Sequence, residues 1–394
     1  MKKGLLLVAP LLLILGACSG GGSSSAPEES FPDAEYSVTY AEGVDGKGTI
    51  TDAIGRQVEI QPGSYRKVVC IGAGALRLYS YIGELDWLCG VEDIDNSTLA
   101  ERPKQFDKVA RPYVLAGAEK FNTLPTCGVG GPQAQSAEAE KIAACEPDIV
   151  ISEYEDVEKE NALQESLGVP VITLRYGSSG LINNTLYGTL AMLGKVFNKE
   201  ARAKEVIDFH HDSMKAIFDR TKGVTERKRA YICGLGNWGT TNQYQTAQNY
   251  EAFNIAHIDN VITGLPKDGV QPILEETFIS LADKMDIMFF DAAAVKNIKG
   301  SGYDFSICKA FTTGEVYLQM AYNAYYSNVE TALINDWFIA KSVYPSLFED
   351  VDIAAKANEI TAKFNGIALY DQIKAMPFSY GGYQKIANPT EFFA

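Results

Sequence analysis

Short β-branched runs alternate with helix-period stretches along most of the chain. KVVCIG (67–72), LCGVE (88–92), DIVIS (148–152) and PVITL (170–174) are apolar runs of strand length bounded by Gly or Pro. The stretches 75–83 and 136–145 between them space their apolar residues as a helix does. The rhythm returns in RAYICGLG (229–236), KMDIMFFDA (284–292) and GEVYLQM (314–320). Each series predicts a parallel sheet covered by helices, so the chain reads as α/β with two such regions. Between them, 183–222 keeps a helical period, broken near its middle by Gly194 and Asn198. Its second part, 199–222, has acid in its first turn, Arg220 and Lys222 in its last, and neither Pro nor Gly. One long helix is therefore expected to connect the two regions and to resist bending. The tail 327–365 is again helical, and 369–394 is expected to form a final helix with an irregular end.

The first residues follow a different pattern. MKKGLLLVAPLLLILGAC opens with Lys2 and Lys3 and continues in an apolar run of about a dozen residues, below the ~20 that span a bilayer. That is an export signal rather than a membrane span. Its end, Leu15-Gly16-Ala17-Cys18, resembles the lipobox of bacterial lipoproteins, which implies cleavage before Cys18 and a lipid on its sulfur. SGGGSSSAPEES then reads as a flexible tether. The expected organisation is a signal peptide over 1–17, lipidated Cys18 and tether over 18–47, a first α/β lobe over 48–180, a helical connection over 181–226 and a second α/β lobe over 227–394. A lipid anchor and tether hold a protein at the cell membrane while it works in the periplasm or outside the cell.

Composition narrows the function classes. The chain carries a net charge of −15, with 50 acidic against 35 basic residues, which argues against a nucleic-acid partner and against docking on anionic lipid by charge alone. Three histidines in the whole chain leave little for a polyhistidine metal site, and metal ligands are not identifiable from the sequence. Besides Cys18 there are six cysteines, Cys70, Cys89, Cys127, Cys145, Cys233 and Cys308. None forms a CxxC, and several sit in apolar runs where Cys acts as a small core residue, so mostly free thiols are expected. His210 and His211 are expected to face solvent from the connecting helix, with His257 a remote candidate ligand.

One motif imitates a dinucleotide site. Gly72-Ala73-Gly74 follows a strand and opens a helix, and Glu92 and Asp93 stand about 20 residues on. The third glycine position is Arg77, which obstructs close helix–strand packing, and an exported protein has no steady supply of nicotinamide cofactor. HExxH and GxSxG are absent. An exported oxidoreductase is thus the weaker alternative, and neither an enzyme nor a cofactor is expected.

The segment TITDAIGRQVEIQPGSYRKVVCIGAGALRLYSYIGELDWLCGVED resembles the opening of substrate-binding proteins of the iron-complex (ferric siderophore, haem, vitamin B12) ABC importers. Its hairpin match is Thr51, Asp52, Gly55, Arg56 and Val58. SAEAEKIAACEPDIVIS and YYSNVETALINDWFIAKSVYPSLF are similar to later family segments, in the same order. The resemblance implies two Rossmann-like lobes joined by a single long helix (the class III periplasmic-binding-protein fold), a ligand cleft between them, no catalysis, and delivery of a captured metal complex to an ABC permease by a monomeric protein. A haem, corrinoid, molybdate or tungstate ligand on the same fold is the alternative.

Candidate cleft residues follow from position. The small-residue loop at Gly74 lets backbone N–H groups approach a ligand, and Arg77 and Arg111 offer planar forks of donors for an anionic chelate. Tyr113 lies beside Arg111 in a first-lobe insertion before TCGVGGP (126–132), which reads as a Gly-rich cleft loop, and Trp238, Tyr244, Tyr322, Tyr325 and Tyr326 are aromatics near strand ends, suited to stacking on a large chelate. The resemblance further implies permease docking through one acid on each lobe. Glu140 matches in the first lobe. In the second the matching position is Phe278, with Glu276 the nearby candidate.

Overall fold

The structure, a computed structural model, describes residues 29–99, 111–131, 137–177, 181–236 and 241–394. An antiparallel hairpin sheet comes first: β1 (Tyr40–Glu42), β2 (Gly48–Thr51) and β3 (Gln57–Ile60). The turn between β2 and β3 explains the T-D-x-x-G-R pattern. Asp52 accepts the backbone N–H of Arg56 at 2.9 Å and pairs with its side chain at 2.8 Å, both groups being buried, while Gly55 takes φ +84°. Ala53 N–H then bonds Thr173 O at 3.0 Å, which pins the hairpin to the first lobe.

The first lobe is a five-stranded parallel sheet in the order β6-β5-β4-β7-β8, from β4 (Val68–Ile71), β5 (Leu88–Glu92), β6 (Thr126–Gly128), β7 (Ile149–Ser152) and β8 (Val171–Thr173). Its helices are α1 (Ala75–Ile82), α2 (Pro112–Phe121), α3 (Ala139–Ala144) and α4 (Val157–Leu167). The stretch TCGVGGP, which reads as a loop, contributes β6 as an edge strand: Cys127 is buried in the strand between Thr126 and Gly128.

Two helices lead to the second lobe, α5 (Asn184–Phe197) and α6 (Glu200–Thr221). Asn198 ends α5 in the left-handed conformation, φ +54°, which lets α6 fold back beside it. The buried face of α6 runs Ala203, Val206, Ile207, His210, Met214, Ile217 and Phe218, a continuous apolar stripe at helical spacing. This stripe belongs to one hydrophobic core that reaches from Tyr79 and Phe197 to Phe253 and Trp337, so both lobes pack on the same helix. His210 lies inside that stripe rather than facing solvent, because its place in the i, i+3, i+4 series puts it on the packed side.

The second lobe has strand order β11-β9-β13-β14-β15. β9 (Arg229–Cys233), β11 (Asp259–Asn260), β13 (Ile287–Asp291) and β14 (Val316–Gln319) are parallel, and β15 (Gln384–Lys385) is antiparallel; β10 (Gln245–Thr246) and β12 (Gln271–Pro272) form a separate pair. Its helices are α7 (Glu251–Ile255), α8 (Glu275–Leu281), α9 (Ala292–Lys299), α10 (Lys309–Thr313), α11 (Val329–Val343) and α12 (Ile353–Asn365). The last residues are not one helix. Pro377, Gly381, Gly382 and Pro389 divide them into short turns and β15, which covers the edge of β14.

Phe31–Ala394 forms one compact unit, which differs from a tether running to residue 47. Phe31 is buried, 5.3 Å from Phe218 and 5.2 Å from His211 between ring centroids. The apolar Phe31, Tyr36 and Val38 interrupt the Gly/Ser composition and draw the chain onto the helices. Among the described residues no helix is long and apolar enough to cross a membrane, and the six cysteines from Cys70 to Cys308 are free.

Candidate functional site

Segments that leave the carboxyl ends of the two parallel sheets meet each other. From the first lobe comes Arg77 on α1, fully buried. Its guanidinium donates to Tyr176 Oη at 2.8 Å and, across to the second lobe, to the carbonyls of Ala324 at 2.7 Å and Tyr325 at 2.8 Å and to Asn328 Oδ1 at 2.9 Å. Gly74 allows this arrangement. It caps α1 at φ +90°, and a Cβ there would sit 2.5 Å from the Tyr176 hydroxyl, which donates to the Gly74 carbonyl.

Arg111 and Tyr113 form a second buried cluster behind it. Arg111 pairs with Asp95 at 3.0 Å, Tyr113 donates to the same carboxylate at 2.6 Å, and the Arg111 guanidinium lies 4.9 Å from the Tyr325 ring centroid. Both arginines, expected to grip a solute, instead hold protein to protein: a fully buried guanidinium needs most of its donors satisfied, and carbonyls and Asp95 satisfy them here.

Beside this clasp lies a cavity of about 370 Å³ between the lobes. Tyr176 and the start of α5 wall it from the first lobe, His210 from the connecting helix, and Tyr250, Glu251, the 322–327 turn and Asp336 from the second. Tyr326 stacks on Tyr176 at 4.9 Å and 16°, is 48% exposed, and offers the free ring face of the site. A wider groove of about 860 Å³ along β11 is walled by the second lobe alone. Clefts that two domains close together are where such folds hold small molecules.

Burial sets the charge of the site. It pushes His210 down to about 4, with His211 adding to the shift, so the imidazole is neutral and bonds Tyr187 through Nδ1 at 2.8 Å. It pushes Glu251 up to about 7, and burial together with the Glu251 carboxyl holds Asp336 well above the usual carboxylate range. At the carboxyl edge of the first sheet burial raises Glu92 to about 8 and Glu153 to about 9, and neither Glu153 oxygen has a hydrogen-bond partner. Among the described residues no group of three or more His, Cys, Asp or Glu is placed to hold a metal ion.

Residues 68–335 match the family model described as Periplasmic binding protein. The chain belongs to that family. Members bind solutes outside the cytoplasm and work with ABC importer permeases; they are not enzymes. None of the functionally curated proteins matches this binding protein in sequence. Its fold is similar to that of a periplasmic solute binding protein from Veillonella parvula, at 18% identity and TM-score 0.63, covering 87% of this chain and 99% of that one. It is also similar to the molybdate-bound MolA of Haemophilus influenzae (18%, TM-score 0.61, 81% and 98% covered) and to the Ni-His complex of Helicobacter pylori CeuE (15%, TM-score 0.55, 81% and 96% covered).

The remaining sequence-derived candidates of this binding protein divide between cavity and core. Tyr322 and Tyr326 line the cavity, whereas Tyr325 turns toward Arg111. Tyr244 packs on Phe278, ring centroids 5.6 Å apart, in the core of the second lobe. His257 bonds Thr221 at 2.9 Å under the end of α6 and is no part of the cavity. Trp238 and Cys18 lie outside the described residues. Glu140 is exposed on α3; Glu276 is exposed in the first turn of α8, two positions before fully buried Phe278. Sequence reasoning missed Tyr176, Tyr250, Glu251 and Asp336. Asp336 carried a readable signal: it is an acid inside NVETALINDWFIAKSV, a helix that is apolar nearly all round.

Proposed function

We propose that this protein is an extracytoplasmic lipoprotein, anchored through Cys18, that captures an iron chelate as a monomer and delivers it to an ABC importer through Glu140 and Glu276. The observation that carries the binding role is the inter-lobe cavity: both lobes contribute to its walls, and tyrosines with polar neighbours face it. The iron-chelate class rests on the family resemblance of the hairpin and first lobe, and the anchor on the Leu15–Cys18 motif. Titrating the protein with ferric chelates while recording its visible spectrum, together with chelate uptake by cells lacking the gene, tests this reading. Saturable binding with loss of uptake supports it. Intense visible bands with haem or a corrinoid, or saturable molybdate binding in place of the chelate, assign a different solute to the same cleft.

A further inference from the structure

We infer that the captured solute carries a cationic nitrogen, which enters the inter-lobe cavity and meets Asp336 and Glu251. This deepens the solute-binding reading above and rests on it. Asp336 is 2% exposed, lines the cavity, and its Oδ2 has no hydrogen-bond partner. A buried oxygen without a donor is costly unless something else supplies one. Glu251 lines the same cavity from α7, and Asp268 adds a third carboxylate at its mouth. The walls contain four tyrosines, Tyr176, Tyr250, Tyr322 and Tyr326, and no lysine or arginine among the described lining residues. Burial favours the protonated forms of Asp336 and Glu251 while the cavity is empty, and an entering ammonium favours their ionised forms, so that aromatic faces and carboxylates together recognise an ammonium-type cation.

Neither Arg77 nor Arg111 lines the cavity: the donors of Arg77 are taken up by Tyr176 and the 324–328 turn, and Arg111 is paired with the Asp95 carboxylate. His210 adds no positive charge while it is neutral. Among iron chelates, the cavity therefore selects a neutral hydroxamate core bearing a pendant ammonium over a strongly anionic tris-catecholate, and it disfavours oxyanions.

The test compares ferrioxamine B with its N-acetylated form, which keeps the ferric hydroxamate core and removes only the ammonium charge, by calorimetric titration of the mature protein. A ferric tris-catecholate serves as the anionic probe. The expected result is tighter binding of the ammonium form by at least about tenfold, with that preference abolished in Asp336→Asn and in Glu251→Gln. The two near-isosteric variants guard against misfolding of either one. Equal affinity for the two hydroxamates, or tighter binding of the catecholate, overturns the inference and leaves the chelate-binding role standing. No binding of any of the three overturns the inference and the iron-chelate reading together.

Discussion

Arg77 Nε donates to Asn328 Oδ1 at 2.9 Å, although 251 positions separate the two residues. This bond and its neighbours tie the first helix of one lobe to the turn after the fourth strand of the other. The turn is strained: Tyr325 and Tyr326 both have positive φ, +53° and +65°, a region that costs a non-glycine residue roughly 1–2 kcal/mol. Arg77 offsets that strain by collecting the carbonyls the turn exposes, and Asn328 closes the turn from inside by donating Nδ2 to Tyr322 O at 2.8 Å. The aromatic wall of the cavity is thereby held in place by a residue that does not line it.

Replacing Arg77 with Ala should consequently act on stability first. It leaves several buried carbonyls without donors and removes the compensating charge near Glu330, which is buried and accepts from Tyr81. Thermal or urea unfolding should show a loss of about 3–5 kcal/mol, with Arg77→Lys intermediate. An unfolding midpoint equal to wild type would show that the clasp is not a structural element.

Tyr326→Ala should do the reverse. The ring is about half exposed and stacks on Tyr176, so its removal should change stability by under ~0.5 kcal/mol and weaken solute binding by about 1–3 kcal/mol. Calorimetry on the purified variant separates the two effects.

Stability should fall as pH rises from 7 to 9. Glu92 and Glu153 have an ordinary pKa of 4.5, and burial raises them to about 8 and about 9 in the folded chain. The fold therefore favours their protonated forms. That contribution is complete below pH 4.5, is lost at up to ~1.4 kcal/mol per pH unit for each group between 4.5 and its folded value, and levels off above about 8 for Glu92 and about 9 for Glu153. His210 works in the opposite direction only between about 4 and 6.5, below this window. Differential scanning fluorimetry should show a declining midpoint that flattens in Glu153→Gln.

Glu140→Arg should leave solute affinity unchanged and abolish uptake. Glu140 is exposed on α3, lies outside the cavity and matches the docking position of the family resemblance. A reversed charge against a basic permease surface costs several kcal/mol. Normal transport with the variant would remove it from that role.

Cys18→Ala should release the protein from membranes into the soluble fraction, since a single acylated residue is the proposed anchor. Fractionation and immunoblotting check this, and full retention in the membrane fraction would refute the lipoprotein reading.

The fold was largely legible because its strands are short, fully apolar and punctuated by Gly or Pro. KVVCIG, DIVIS and KMDIMFFDA all form central strands within a residue or two of their expected limits. The edge strands β6, β11 and β15 were not, since two or three residues on a sheet edge bury too little to leave a pattern. The site was legible in its loops and not in its roles. Arg77 and Arg111 read as ligand forks because a local sequence shows five donors and does not show the distant carbonyls or Asp95 that use them. Asp336 and Tyr250 belong to the cavity only because α7 and α11 bring them opposite Tyr176, a relation between residues far apart in the chain.

Native mass spectrometry of the protein isolated from its own source, alongside Tyr326→Ala and Asp336→Asn, addresses capture between the lobes most directly. The expected spectrum shows one non-covalent small-molecule adduct per chain in the wild type and a sharply reduced adduct in both variants. A wild-type chain free of any adduct under conditions that induce its synthesis, or an adduct kept at full occupancy by both variants, would contradict solute capture in this cavity.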